Sequence, residues 1–260
     1  MEFLQNQKIG LIILIIVILM CVFYSTESFY NFKNVPNDTY KIDDINKSPE
    51  SGIPKIIHRI VLKDKSKWNP IWYEGYETWL KHFPQPEYTH MIWYDEDFEP
   101  FVQEHFPFYL EAFKSYNYHI KRVDMLRPLI LYKYGGIYAD MDYIVYKNFF
   151  SELPPDKIST PESPYKYHEF IQNALLISPP KHNFWLILLD EAINRKDVEV
   201  VFNATGPALY SDLYHKHTDM FHLLDMNLYN PDKTKPELFN SDKVIAKHLL
   251  SNVWIGVNKF

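Results

Sequence analysis

The stretch Leu131-Tyr-Lys-Tyr-Gly-Gly-Ile-Tyr-Ala-Asp140-Met141-Asp142 constrains the fold of this chain more than any other segment. Upstream of it, Met125, Leu126, Leu129, Ile130 and Tyr134 recur at spacings of three and four residues, which gives a helix one apolar face for a core. Gly135-Gly136 predicts where that helix stops, because glycine adopts a left-handed terminal conformation without steric cost. Ile137-Tyr138-Ala139 then reads as a short buried strand. Asp140 and Asp142 follow at its carboxyl end, where open α/β sheets form their ligand crevices. Alternation along an extended chain predicts that both carboxylates point to the same side. The order of helix, glycine stop and strand indicates the α/β class.

An Asp-x-Asp triplet by itself says little, since a chain this rich in Asp contains roughly one by chance. A second example, Asp95-Glu96-Asp97, lacks the glycine stop. Context therefore selects Asp140 and Asp142. Two carboxylates at a strand end suit a divalent cation, because hard cations prefer oxygen ligands.

At 260 residues with 47% hydrophobic content, the chain can bury a full core as one domain with an appendage. A net charge of -6 with scattered basic residues argues against a nucleic-acid partner. Cys21 is the sole cysteine, so there is no disulfide framework.

The appendage is N-terminal. Ile9 to Tyr24 is sixteen residues without a charge, about 24 Å as a helix, short of the roughly 30 Å of a hydrocarbon core. It reads as an uncleaved signal anchor in preference to a cleaved signal peptide, because no clear small-x-small cleavage site follows. Lys8 favours a cytosolic N-terminus. Residues 25–51 are polar, lack apolar periodicity and carry two sequons at Asn37 and Asn46, as a flexible lumenal stem would. The expected organisation is a cytosolic tip and transmembrane anchor over 1–24, a stem over 25–51 and a catalytic domain over 52–260.

Within the domain, Ile53 to Leu62 predicts a first strand interrupted by His58, which is either a satisfied core histidine or part of a site. Ile71–Phe83 predicts a helix, Tyr88–Trp93 a strand and Ile171–Ile177 a strand closed by Pro179-Pro180. Helices are expected over Phe184–Ile193 and Ala208–Tyr214. Pro128 is tolerated best in a first helical turn, so the long helix is expected to begin near Val123 or Asp124, with Asp124 able to serve as its N-cap. His215 and His217 sit two apart and would face opposite ways on a helix, so they form no zinc pair.

Several of these segments, in order, resemble glycosyltransferase family 32: Ile53-Pro54-Lys55-Ile56-Ile57-His58, Trp93-Tyr94-Asp95, the block from Asp124-Met-Leu-Arg127 to Asp142, Asn173-Ala174, Thr205-Gly206-Pro207, and a late His248 with Trp254. The family includes inositol-phosphoceramide and outer-chain mannosyltransferases and α-1,4-hexosyltransferases. Pro128, and Val61 where the family commonly has Trp, depart from its pattern.

The resemblance implies a GT-A type, Rossmann-like sandwich with a mixed central sheet, a nucleotide-sugar donor (GDP-mannose or a UDP-hexose), Mn²⁺ or Mg²⁺, and a glycan or glycolipid acceptor. It implies metal ligation by Asp142, Asp140 and His248, and donor binding by His58, Asp124, Arg127, Asp140, Asn173, Ser251 and Trp254. Asp124, Arg127, Asp140 and Asp142 are the expected catalytic set. The implied enzyme is a retaining hexosyltransferase in the Golgi or ER, with its catalytic domain lumenal. The alternatives from other classes are a metal-dependent phosphohydrolase and a catalytically silent carbohydrate-binding module.

Overall fold

A computed structural model of the chain describes residues 52–166 and 170–251. The apolar run of 9–24, the stem, Cys21 and Trp254 lie outside them. Among the described residues no helix is long and apolar enough to cross a membrane.

The first strand, β1 (Ile56–Ile60), is followed by helix α1 (Pro70–His82) and strand β2 (Thr89–Trp93). Helix α1 begins as its sequence dictates, with Asn69 accepting from the Trp72 N–H and a proline at the first turn, where the missing N–H costs nothing. Helices α2 (Asp95–His105) and α3 (Leu110–Ser115) lead to the long helix α4 (His119–Tyr134), then β3 (Gly136–Ala139) and β4 (Tyr143–Val145). Strands β5 (Ile158–Pro161) and β6 (Leu175–Ser178) precede helices α5 (Phe184–Asn194), α6 (Val201–Ala204) and α7 (Pro207–Lys216). The described chain ends with β7 (Phe221–Leu224), the short helices α8 (Met226–Tyr229) and α9 (Pro236–Phe239), and β8 (Ala246–His248).

Six strands form a mixed sheet in the order β2-β1-β3-β6-β5-β7, and β4 pairs with β8 in a separate ribbon. The strands β2, β1 and β3 are parallel, β6 runs antiparallel to both β3 and β5, and β7 is parallel to β5. Both faces of the sheet are covered, as in a sandwich. Tyr138 and Leu176 pack on one side with Leu126, Leu129, Trp185 and Tyr210, while Ile137, Leu175 and Ile177 pack on the other with Trp79, Phe83 and Phe149.

Three sequence expectations are corrected. Helix α4 starts at His119, not near Asp124, so Pro128 stands in its interior. An interior proline removes one backbone hydrogen bond and costs about 3 kcal/mol. Burial of nearly every residue from Val123 to Tyr132 opposes that cost, which is why the helix continues through it. Strand β6 starts at Leu175, not Ile171, because residues Gln172 and Asn173 leave the sheet. Asp140 and Asp142 are not placed by strand alternation either, since β3 ends at Ala139 and a turn closed by the Tyr143 N–H on the Asp140 carbonyl (2.9 Å) carries both.

The glycine stop is borne out in detail. Gly135 has φ +62° and its N–H bonds to the Leu131 carbonyl. Gly136 has φ +95°, and a Cβ there would lie 2.5 Å from the Ile56 carbonyl oxygen, so only glycine lets β3 lie this close to β1.

Candidate active site

Helix and strand dimensions bring the acids together. Asp124 is eleven residues before Gly135 and Asp140 is five after it, about 16 Å back along a helix and about 16 Å along a strand. A helix that folds back onto its strand therefore returns the two to the same level. Arg127 spans them, with Nη1 2.9 Å from Asp124 Oδ1 and Nη2 3.0 Å from Asp140 Oδ1. The guanidinium lies 5.0 Å from the centre of the Tyr138 ring, and the Tyr138 hydroxyl also donates to Asp140 Oδ1.

Antiparallel pairing of β3 and β6 supplies the next group. Ala139 is opposite Leu175, and the Asp140 N–H bonds to the Ala174 carbonyl at 2.8 Å, so Asn173 arrives at the edge where Asp140 leaves the sheet. Asn173 Nδ2 donates to Asp124 Oδ1 at 3.1 Å, and Thr205 Oγ1 donates to Asp124 Oδ2 at 3.0 Å. Burial is the largest influence on Asp124 and pushes its carboxyl up to about 6, against the pull of Arg127, Thr205 and Asn173. Asp124 is thus neither an N-cap nor half of a surface pair: it is 4% exposed and holds a network from inside the helix.

The β4-β8 ribbon completes the cluster from the far end of the chain. Tyr143 is opposite His248, the two rings stack at 5.4 Å, and the Leu249 N–H bonds to the Asp142 carbonyl. His248 Nε2 is 3.1 Å from Asp142 Oδ1, and its Nδ1 is 3.2 Å from Gln172 Oε1. Gln172 thus orients the ring: with the proton on Nδ1 given to Gln172, the Nε2 lone pair is turned toward Asp142, where a metal would take it. Ser251 gives its N–H and its hydroxyl to Asp142 Oδ2, each at 2.7 Å. Burial would raise the Asp142 carboxyl, but His248 and the two Ser251 donors outweigh it and hold the group below the usual carboxylate range. Asp142 is therefore an anion at every physiological pH.

Asp140, Asp142 and His248 offer ligand atoms that all lie within 4.8 Å of one another. Two carboxylates and one oriented imidazole on this scale fit a divalent cation. The cluster borders a cleft of about 670 Å³ lined by Asp124, Arg127, Asp140, Asn173 and His248, a size suited to a small ligand. The lining also includes the apolar side chains of Ile120, Val200, Val201, Phe202 and Leu250.

Of the residues expected from the sequence, Asp124, Arg127, Asp140, Asn173 and His248 line this cleft, and Asp142 and Ser251 adjoin it through His248. His58 does not line it. It is fully buried, with Nε2 donating to the Gly135 carbonyl at 2.9 Å and Nδ1 accepting from Trp93 Nε1 at 3.2 Å, and burial lowers it to about 4. It is a neutral core histidine that pins the glycine stop. Gln172 and Thr205 are the partners that the sequence does not single out as site residues. Their signal is position alone: Gln172 precedes Asn173, and Thr205 opens the Thr-Gly-Pro start of α7.

Several known proteins are similar to this chain in sequence or in fold. A family profile described as "Glycosyltransferase sugar-binding region containing DXD motif" matches residues 70–162. A mannosyl phosphorylinositol ceramide synthase of Saccharomyces cerevisiae is 30% identical over 65% of this chain and 44% of its own length. Inositol phosphoceramide mannosyltransferase 3 of Schizosaccharomyces pombe is 36% identical over 43% of this chain and 32% of its own length. The chain thus spans less than half the length of these two relatives. The fold is similar to that of the glycosyltransferase domain from the YGT toxin, with a TM-score of 0.50 at 9% identity over 67% of this chain and 81% of that one. The chain is thus similar, most clearly over residues 70–162, to glycosyltransferases with a DXD-containing sugar-binding region.

Proposed function

We propose that this protein is a metal-dependent, retaining glycosyltransferase that moves a hexose from a nucleotide sugar to a glycan or glycolipid acceptor. The observation that carries the reading is the Asp140-Asp142-His248 cluster at the edge of a cleft whose inner wall is the Asp124-Arg127-Asn173 network. Mannose is the favoured hexose, because both yeast relatives are named for mannosyl transfer to an inositol phosphoceramide. The apolar lining at Val200, Phe202 and Leu250 supports a glycolipid acceptor over a purely polar glycan. The apolar run of 9–24 would anchor the chain in the ER or Golgi membrane, with residues 25–51 as the stem and 52–260 as the lumenal catalytic domain.

Asp142, Asp140 and His248 would hold Mn²⁺ or Mg²⁺, which as a Lewis acid neutralises charge developing on a departing diphosphate. The remaining chemistry belongs to the chain. Asp124 accepts from sugar hydroxyls at the floor of the cleft, and Asn173 Nδ2 is held against it in position to donate to the same sugar. Arg127 keeps Asp124 and Asp140 fixed through its two ion pairs, so no side-chain reorganisation is needed as charge moves. Arg127 also ties up both of the nearest carboxylates, which leaves them poorly suited as covalent nucleophiles and supports front-side attack within a tight ion pair.

Incubating the full chain with a panel of GDP- and UDP-sugars and Mn²⁺ tests the reading. Slow hydrolysis of one nucleotide sugar, stopped by chelator, is expected. Cleavage of simple phosphoesters instead would make the protein a phosphohydrolase, and no turnover with any donor would leave only a binding module.

A further inference from the structure

Two arginines are buried near the acidic turn, and they are built differently. Arg127 shares its charge between two carboxylates. Arg59, on β1, is 1% exposed and has no such partner: its Nη2 donates to the Met141 carbonyl at 3.2 Å, while Nε and Nη1 have no hydrogen-bond partner. Its guanidinium sits 5.6 Å from the centre of the Trp79 ring. The carboxylates whose field reaches it are Asp140 and Asp142, the acids on either side of the carbonyl that it holds. Burial lowers it to about 10, so it keeps its charge at neutral pH.

The turn itself is clamped from behind. Helix α1 passes so close that a Cβ on Gly75 would lie 2.0 Å from the Met141 carbonyl oxygen, and Trp79 Nε1 donates to the Tyr143 carbonyl at 2.8 Å. Burying a guanidinium with unmet donors is costly, and a neutral donor would serve the Met141 carbonyl as well. The charge therefore calls for an explanation beyond packing.

We propose that Arg59 is a positioning residue for the metal-binding pair: bonded to the Met141 carbonyl, it is held where its charge offsets part of that of Asp140 and Asp142. The pair then presents less negative charge to a cation and a less repulsive site to a diphosphate. The proposal rests on the reading of Asp140 and Asp142 as metal ligands.

The test is Mn²⁺ binding in the absence of donor, by calorimetry, for the full chain and for Arg59→Gln, Arg59→Met and Arg59→Lys. Removing a like charge beside the site should tighten Mn²⁺ binding by about tenfold in the Gln and Met variants. The Lys variant keeps charge and a donor, and should stay within about threefold of the parent. Equal or weaker affinity in the neutral variants than in the parent overturns the role. If the neutral variants do not fold, a Lys variant that departs by more than about threefold overturns it instead. A parent protein that binds no Mn²⁺ removes the metal reading itself, a result distinct from Mn²⁺ binding that is indifferent to Arg59.

Discussion

The chain carries two Asp-x-Asp triplets, and their surroundings give them opposite physics. Asp95-Glu96-Asp97 is the first turn of α2, where acidic side chains meet the positive end of the helix. Asp97 accepts from the Tyr94 N–H at 2.8 Å, Asp95 lies 3.2 Å from His119, and Glu96 pairs with Lys63 at the surface. Asp95 and Glu96 are exposed, so their pairs are solvated, and Asp97 is used by the start of its own helix. Asp140-Met141-Asp142 sits instead on a buried turn at the end of a sheet strand, held by Arg127, Arg59, His248 and Ser251. The first triplet caps its own helix and makes exposed pairs with Lys63 and His119, whereas the second gathers groups from three other parts of the chain: β1, α4 and the end of β8. A three-letter pattern is thus a site only where the fold concentrates charge that local structure does not use.

Asp142→Asn probes this contrast most severely. It should lower transfer by a factor of about a thousand or more, given what loss of a group stabilising the transition-state charge costs, with circular dichroism unchanged. Near-native turnover would remove Asp142 from the metal role.

Arg127→Met should be the most destabilising change in the second triplet's surroundings, by about 3–5 kcal/mol in chemical denaturation, because it leaves Asp124 buried without its counter-charge. A loss below about 1 kcal/mol would mean that the network is solvated like the first triplet.

The pH dependence of stability distinguishes the two regions next. Burial raises Asp124 from the ordinary 3.8 to about 6 in the folded protein. The native state then binds its proton more tightly than the unfolded chain, so this contribution is fully present below pH 4 and is lost as pH rises through 6. Asp124→Asn should flatten the denaturation-derived stability profile between these values, by up to about 1.4 kcal/mol per pH unit. An unaltered slope would show that Asp124 is not buried as an acid.

The mildest change belongs to the first triplet. Asp97→Asn should cost about 1 kcal/mol of stability at the start of α2 and leave Mn²⁺ affinity and turnover unchanged. A fall in metal affinity would erase the distinction between the triplets.

Much of this site is legible in the amino-acid sequence. Met125 to Tyr134 show the helix, Gly135-Gly136 show its stop, and Ile137 to Ala139 show the strand that delivers Asp140. The corrected expectations share a cause. Pro128 suggests a late helix start because local propensity takes no account of the burial that carries α4 through the proline. Ile171 seems to open a strand because its apolar neighbours continue the pattern, yet Gln172 and Asn173 are diverted to His248 and Asp124. His58 keeps company with family-like residues in sequence but faces the Gly135 carbonyl, since its direction is fixed by which face of β1 meets α4.

The features that sequence alone dictates are local: positive φ at two glycines, one periodic helix, one short strand and an acidic pair after it. Such signals are written in short-range sterics and need no distant partner. Long-range pairing, by contrast, is what brings Asp142 to His248 and Ser251 from 106 and 109 residues away and leaves Arg59 Nε and Nη1 without hydrogen-bond partners beside the turn. Those meetings depend on which strands pair and in which register, as β4 does with β8, and an apolar pattern alone does not specify the partner.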